Sequence, residues 1–98
     1  MYTIKRTDAF DHWLHSLKDG TTHRRLLVRL RKVTLGNFGD VSPVGEGVFE
    51  MREHFGPGWR MYYAKRGSMC IVMLGGGDKS TQTADIAKAI AIATRIKD

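Results

Sequence analysis

The sequence predicts an α+β domain with an N-terminal strand, a two-helix hairpin, a three-stranded antiparallel meander and a C-terminal helix. Three observations predict this class. Apolar residues recur at helical spacing in the N-terminal third and again near the C terminus, three strand-like runs follow one another from Val48 to Leu74, and glycine, proline or serine marks the junctions. We expect one domain over residues 1–98, because a chain of this length encloses a single core.

Composition limits the classes of function. Hydrophobic residues form 42% of the chain, as in a folded globular protein, and the net charge of +6 favours a polyanionic partner, nucleic acid ahead of a membrane surface. The lone Cys70 excludes an internal disulfide and suggests a reducing compartment. Residues 1–20 contain no signal-peptide apolar region, and no stretch is long enough to span a bilayer. We therefore expect a cytoplasmic protein.

The first elements are a short strand over residues 2–7 and a helix from about Asp8 to Lys18. Thr7 is a suitable N-cap, Asp8 favours the positive end of the helix dipole, and Gly20 is expected to stop the helix. Trp13 is interpreted as a core residue. The positions that share one helical face are Phe10, Trp13, Leu14 and Leu17.

A second helix is expected to begin at a Thr21 or Thr22 cap and to end at Gly36. Its apolar positions are Leu26, Leu27, Leu30 and Val33. Basic residues follow one side of it at i, i+4 and i+7, namely Arg25, Arg29 and Lys32. Like charges on one helix face repel, and a bound polyanion would relieve the repulsion; a solvated helix face is an equally good interpretation. The segment 37–47, which has three glycines and a proline, is expected to be a surface connection.

The meander carries the candidate site. Because side chains alternate along a strand, Glu50, Arg52 and His54 are expected to share one face, and Arg60 and Tyr62 to share one face of the next strand. The other faces are the core faces, with Phe49, Met51 and Phe55 on the first strand and Trp59, Met61 and Tyr63 on the second. If the polar faces coincide, a basic patch forms, and a polyanion could reach it only on an uncovered side of the sheet.

The strand Met69 to Leu74 is apolar at every position and is therefore expected inside the sheet, covered on both faces. A last helix, capped by Ser80 or Thr81, would cover the second face. Its apolar positions are Ile86, Ile90, Ile92, Ala93 and Ile96, and its basic residues Lys88, Arg95 and Lys97 lie toward its C-terminal half.

The glycine run at 75–77 invites a phosphate-loop interpretation, which fails because Asp78, not glycine, precedes Lys79. The glycines still permit close approach of a backbone or a phosphate, and Lys79 is expected to project toward the polar face. Clustered metal ligands are not evident, since His12, His15 and His23 have no cysteine partner at useful spacing. We expect no metal and no cofactor, and Cys70 is interpreted as inert core.

Several stretches together resemble the RelE/ParE toxin superfamily, and within it the HigB-like addiction-module killer proteins. The stretches are Leu35-Gly-Asn-Phe-Gly-Asp40, Pro43-Val-Gly-Glu-Gly47, Glu50-Met-Arg52, Gly58-Trp-Arg-Met-Tyr-Tyr63 and Gly76-Gly-Asp-Lys-Ser80. The resemblance covers essentially the whole chain and implies a RelE-like fold and the toxin of a type II toxin–antitoxin pair. It also implies a small antitoxin, HigA-like with a helix-turn-helix domain, and metal-independent cleavage of mRNA, usually on the ribosome.

Such cleavage requires a site that removes a proton from a ribose 2′-hydroxyl and neutralises charge on the phosphate. Arg52 and Arg60 are suited to clamp the phosphate and Lys79 to add a point charge, while His54, or otherwise Glu50, would take the proton. Glu50 could instead form a salt bridge with a neighbouring arginine. Tyr62 could stack on a base, or could be a half-buried cross-strand aromatic residue.

The sequence departs from some relatives, which use a C-terminal tyrosine or histidine, because this chain is expected to end in a helix. Two other functions remain open. A ParE-like toxin of the same fold would poison DNA gyrase, and a non-catalytic nucleic-acid-binding module would need only the basic surface.

Overall fold

Five strands form one sheet in the computed structural model, which describes residues 1–96. The elements are β1 (Thr3–Arg6), α1 (Asp8–Ser16), α2 (Gly20–Thr34), β2 (Val41–Gly45), β3 (Val48–Arg52), β4 (Arg60–Arg66), β5 (Cys70–Gly77), a 3₁₀ turn (Lys79–Thr81) and α3 (Gln82–Arg95). The strand order is β1-β5-β4-β3-β2, with β1 parallel to β5 and the other pairs antiparallel. The predicted α+β, RelE-like arrangement is confirmed. The predicted helical position of Lys97 lies outside the described residues.

Two cores lie on the two faces of the sheet. Helices α1 and α2 cover one face through Phe10, Leu14, Leu26, Leu30 and Val33, against Met51, Met61, Tyr63, Ile71 and Met73. Helix α3 covers the other face, where Ala89 and Ala93 pack against Val48, Tyr62, Ala64, Val72 and Leu74. Strand β5 lies between β1 and β4 and under helices on both sides, which confirms the prediction from its apolar sequence. No helix within residues 1–96 is both long and apolar enough to cross a bilayer.

The helix ends confirm one predicted cap and correct another. Thr7 caps α1, since its Oγ1 accepts a hydrogen bond from the Phe10 N–H at 3.2 Å. The cap of α2 is Asp19, whose carboxylate accepts from the Thr21 N–H at 3.1 Å and from the Thr22 hydroxyl at 2.9 Å. Because an aspartate in that position satisfies the first free N–H groups, Gly20 begins α2 instead of stopping α1, which ends at Ser16.

The segment predicted as a surface connection contains strand β2, which pairs with β3 at the edge of the sheet. Pro43 is tolerated there because an edge strand has one side without ladder hydrogen bonds. The hairpin turn passes through Glu46 and Gly47, which have φ of 53° and 76°. Two positive φ values are typical of the tight hairpin turn that is usually built from Asn-Gly or Asp-Gly, so the Glu-Gly pair gave no recognisable signal.

The glycine run is the end of β5, not a loop. A Cβ at Gly76 would lie 2.4 Å from Cζ3 of Trp13, and a Cβ at Gly77 would lie 1.9 Å from Oδ2 of Asp85. The groups that approach these glycines are therefore an indole ring from α1 and a carboxylate from α3, on opposite faces of the strand. The interpretation of Trp13 as a core residue is confirmed, because it also contacts Phe10 and Trp59.

Candidate functional site

Arg52 and Arg60 are directly opposite each other on β3 and β4, so their side chains leave the same face of the sheet. Glu50 lies between them, with Oε1 3.9 Å from Nη1 of Arg52 and Oε2 4.0 Å from Nε of Arg60. Glu50 is 4% exposed and accepts hydrogen bonds from Gln82 of α3 at 2.9 and 3.3 Å. Its carboxylate is thus a buried counter-ion for two guanidinium groups. This is the salt-bridge role considered for Glu50, and it replaces the alternative role as proton acceptor.

The predicted basic patch required this face of the sheet to be uncovered, and the structure contradicts that requirement. Helix α3 lies over the face, because Val48, Tyr62 and Leu74 need an apolar cover on that side. Tyr62 is fully buried, and burial raises the pKa of its hydroxyl well above the ordinary value, with a smaller contribution from the nearby charge of Glu50. The predicted stacking of Tyr62 on a base is therefore corrected, since the ring is part of the second core.

The covered area ends at Arg60, whose side chain reaches the mouth of a small open pocket. The pocket has a volume of about 280 Å³ and is lined by Glu53, His54, Gly56, Pro57, Gly58, Arg60 and Lys79. Arg60 is 7% exposed, and its Nη1 donates to the carbonyl oxygens of Trp59 at 3.2 Å and Glu53 at 3.3 Å. The structure thus brings an imidazole, a guanidinium and an ammonium group to one place, while Arg52 lies beside the pocket.

Gly58 lies beside both Lys79 and Arg60. Its φ is +82°, a conformation that favours glycine, and a Cβ there would lie 3.4 Å from Cβ of Lys79 and 3.6 Å from Nη1 of Arg60. The turn after β3 therefore favours glycine for its backbone conformation, since a Cβ there would make only ordinary van der Waals contacts with the two cations. Lys79 lines the pocket at the polar end of the sheet although it follows β5.

A larger groove of about 560 Å³ lies between β1 and the end of α3, where Lys5, Cys70 and Ile96 are among the lining residues. We favour the smaller pocket as the functional site because its lining combines a titratable imidazole with two cationic groups. Cleavage of a phosphodiester needs both kinds of group within reach of one phosphate.

Asp40 is a site residue that sequence reasoning missed. Its Oδ1 accepts a hydrogen bond from Nη2 of Arg52 at 3.0 Å, and its Oδ2 lies 2.7 Å from Nε2 of His54. These contacts hold the pKa of the Asp40 carboxyl below its ordinary value, and the hydrogen bond from Arg52 contributes most. The signal in the sequence was weak, because Asp40 precedes β2 in a segment that showed neither helical nor strand periodicity.

The titration of Asp40 should report these contacts. We expect its midpoint, measured by carbon-detected NMR, to lie below the ordinary value of 3.8, to rise on Arg52→Gln, and to rise by less on His54→Gln. Since the folded-state pKa is the lower one, the contacts stabilise the fold above pH 3.8, and this stabilisation is lost as the pH falls through the folded-state pKa. Asp19, whose pKa is lowered by Thr22 and Thr21, is the internal control and should not change in either variant. An Asp40 titration midpoint at the ordinary value would contradict these contacts with Arg52 and His54.

Arg29 was predicted to lie on an open helix face, but in the structure its side chain turns into the fold. Its guanidinium donates to the carbonyl oxygens of Phe38 at 2.8 and 3.2 Å, Asp40 at 2.9 Å and Arg52 at 2.8 Å, and it pairs with the Glu53 carboxylate. The predicted contact of Arg29 with RNA is therefore corrected, because its donors are used inside the fold. Helical spacing showed that three cations are aligned, but it could not show that Glu53, 24 residues later in the sequence, forms an ion pair with Arg29.

The other two predicted cations of this helix, Arg25 and Lys32, are exposed. They line a groove of about 440 Å³ together with Thr21, Arg24, Val28, Arg29 and Glu53. The guanidinium carbon of Arg25 lies 3.6 Å from the centre of the Phe55 ring, which holds the side chain toward the segment that also carries Glu53 and His54. Glu53 lines both this groove and the pocket at Arg60, so the two are neighbours.

Replacing Arg29 by methionine should lower the free energy of unfolding by about 2–3 kcal/mol. The change leaves Glu53 without its cation, removes the donor to the Phe38 and Arg52 carbonyl groups, and removes one of the two donors to the Asp40 carbonyl group. Chemical denaturation monitored by tryptophan fluorescence would measure the decrease. Arg24→Met is the matched control: Arg24 is exposed, and its hydrogen bond to the Thr21 hydroxyl is long at 3.4 Å, so stability should hardly change. Equal effects of the two substitutions would show that the internal contacts of Arg29 contribute little.

Among residues 1–96, no three His, Cys, Asp or Glu side chains are close enough together to hold a metal ion. His12 and His15 are exposed, while His23 is half-buried with its ring centre 6.2 Å from that of His15.

The fold, with helices on both faces of a five-stranded sheet and a cationic pocket at one end, is that of the RelE-like toxins of toxin–antitoxin systems. The chain belongs to the family of phage-derived Gp49-like proteins (DUF891), whose family model matches residues 12–98. This family is part of that toxin group, and membership implies a cognate antitoxin as partner.

One relative with similar sequence is an uncharacterized protein of Haemophilus influenzae. It is 39% identical to this chain over 93 residues, which cover 95% of this chain and 94% of the relative. No solved structure matches the chain significantly.

Proposed function

We propose that this protein is a HigB-like toxin that cleaves mRNA on the ribosome without a metal ion and is neutralised by a HigA-like antitoxin with a helix-turn-helix domain. The proposal places it in the cytoplasm as a single toxin domain. The observation that carries it is the meeting of His54, Arg60 and Lys79 around an open pocket of about 280 Å³. A pocket with these groups offers room for one phosphodiester, two cations to hold it and an imidazole to move a proton.

The proposed reaction follows from these groups. Arg60 and Lys79 hold the scissile phosphate, and Arg52 adds positive charge beside it. The His54 imidazole takes the proton of the 2′-hydroxyl, the 2′-oxygen bonds to phosphorus, and the bond from phosphorus to the 5′-oxygen breaks. The leaving 5′-oxygen takes a proton from water, so that the products are a 2′,3′-cyclic phosphate and a 5′-hydroxyl. The exposed Arg25 and Lys32 would bind the flanking RNA backbone in the adjacent groove.

Induction of the chain in bacterial cells, followed by mapping of RNA ends, tests this function. We expect growth arrest and mRNA cut inside translated codons, with 5′-hydroxyl ends that also form with purified protein and ribosomes in the presence of a metal chelator. Intact transcripts together with DNA damage would replace the proposal with the ParE-like gyrase poison. Binding to RNA with neither arrest nor cleavage would replace it with a non-catalytic binding module.

A further inference from the structure

The imidazole at the pocket is poorly held by its own surroundings. The His54 side chain is 73% exposed and follows the end of β3, outside the sheet. A histidine in that position would turn freely about its side-chain bonds, and a freely turning base seldom has the geometry that proton transfer needs. Within residues 1–96, the only hydrogen bond of its ring is the one with Asp40, at 2.7 Å.

Asp40, in contrast, is fixed from several directions. Its carbonyl oxygen accepts from the Arg52 N–H at 2.9 Å and from Nη2 of Arg29 at 2.9 Å, and its carboxylate accepts from Arg52 at 3.0 Å. The Arg29 guanidinium also lies close against Gly39, where a Cβ would be 3.0 Å from Nη2 and where φ is +68°. Arg29 therefore ties the turn that carries Asp40 to the end of β3, from which His54 continues.

The geometry also assigns the proton on the imidazole. An ionised carboxylate only accepts hydrogen bonds, so Nε2 of His54 carries the hydrogen of this contact, and in the neutral imidazole Nδ1 then keeps its lone pair. His54 lines the pocket that also contains Arg60 and Lys79. The nitrogen available to take a proton from a ligand in that pocket is therefore Nδ1.

We propose that Asp40 is the positioning residue of this site: it holds the His54 ring in one orientation with Nδ1 as the proton acceptor, and Arg29 keeps Asp40 in place. The inference deepens the proposed function and rests on it for the catalytic role of His54. The orientation itself does not depend on the activity, so it is measurable in the protein alone.

The first test is NMR of the purified chain. Three-bond couplings across the Cα–Cβ bond of His54 should show a single rotamer in the wild type, and imidazole nitrogen shifts should show hydrogen on Nε2. Asp40→Ala removes the acceptor and should average the couplings toward free rotation. Asp11→Ala is the matched control, because Asp11 forms a comparably exposed pair with Arg6, with a side-chain exposure of 38% against 41% for Asp40. Averaged couplings in the wild type, or unchanged couplings in Asp40→Ala, would overturn the proposal.

The second test is the rate of mRNA cleavage on programmed ribosomes. Asp40→Ala should lower kcat by about 10- to 100-fold and leave KM within about 2-fold, since misplacing a proton-transfer group affects the transition state more than binding. Asp40→Ala should cause no further loss in a His54→Gln background, because both act through one imidazole. Independent, additive losses would overturn the positioning role. If the wild type cuts no RNA, the proposed function fails, and the couplings alone decide whether Asp40 orients His54.

Discussion

Arg60→Ala should relieve growth arrest and lower the rate of RNA cleavage by about 10²–10³-fold, the usual loss when one preorganised donor to a developing oxyanion is removed. Arg60 is suited to this role because it is nine-tenths buried, with its guanidinium held by two backbone carbonyl groups before any ligand arrives. No reorganisation is then needed at the moment of reaction. Growth after induction and single-turnover cleavage on ribosomes would measure the effect.

Folding must be measured in the same variant, because Arg60 is one of two cations beside the buried Glu50. Arg60→Lys keeps the positive charge and loses the planar fork, so we expect stability near that of the wild type and an activity between those of the wild type and Arg60→Ala. Lys79→Ala changes an exposed side chain and should lower cleavage by about 10-fold with little effect on stability. A folded Arg60→Ala protein that still arrests growth like the wild type would remove Arg60 from the site.

Gly76→Ala should lower the free energy of unfolding by about 3 kcal/mol, at the upper end of the cost of inserting a methyl group into a packed core. The new Cβ would lie 2.4–2.6 Å from three ring carbons of Trp13, and no real contact is that short. The ring packs against Phe10 on its own helix and against Trp59, which immediately precedes β4, so displacing the ring would cost these contacts. Chemical denaturation would measure the loss.

The neighbouring glycine supplies the control. A Cβ at Gly75 would have no atom within 4 Å, and Gly75 is outside the positive-φ region, so Gly75→Ala should change stability by less than about 0.5 kcal/mol. A double-mutant cycle identifies the cause: in a Trp13→Ala background, which removes the ring, Gly76→Ala should cost less than about 1 kcal/mol. The same cost with and without the indole would mean that backbone conformation, not contact with Trp13, requires glycine.

Much of the fold could be predicted because its signals are local. Helical spacing placed Phe10 and Leu14 in the core, and strand alternation put Arg52 and Arg60 on one face. The cap at Thr7 needs only three residues of sequence to be recognised. The edge strand β2 was missed because its proline, its bulge and its Glu-Gly turn give no periodic signal, although the ladder with β3 stabilises it.

The candidate site was predicted only in part. Alternation showed that Arg52, Arg60 and Tyr62 share a face, but it could not show that α3 covers that face, seals Tyr62 and leaves Arg60 at the edge. The roles of Arg29 and Asp40 likewise depend on partners that are 11 to 24 residues away in sequence.

The sequence by itself determined which residues each helix and strand turns inward, and therefore the α+β class, the two-sided burial of β5 and the basic character of one end of the sheet. Only the tertiary structure decided which of those basic groups remain free to bind a ligand. The physical reason is that side-chain direction follows from backbone periodicity within one element, whereas burial and ion pairing depend on which other element lies against it. Two arginines of the same helix illustrate the difference. Arg29 pairs with Glu53 and donates to three carbonyl groups, whereas Arg25 stays exposed beside Phe55.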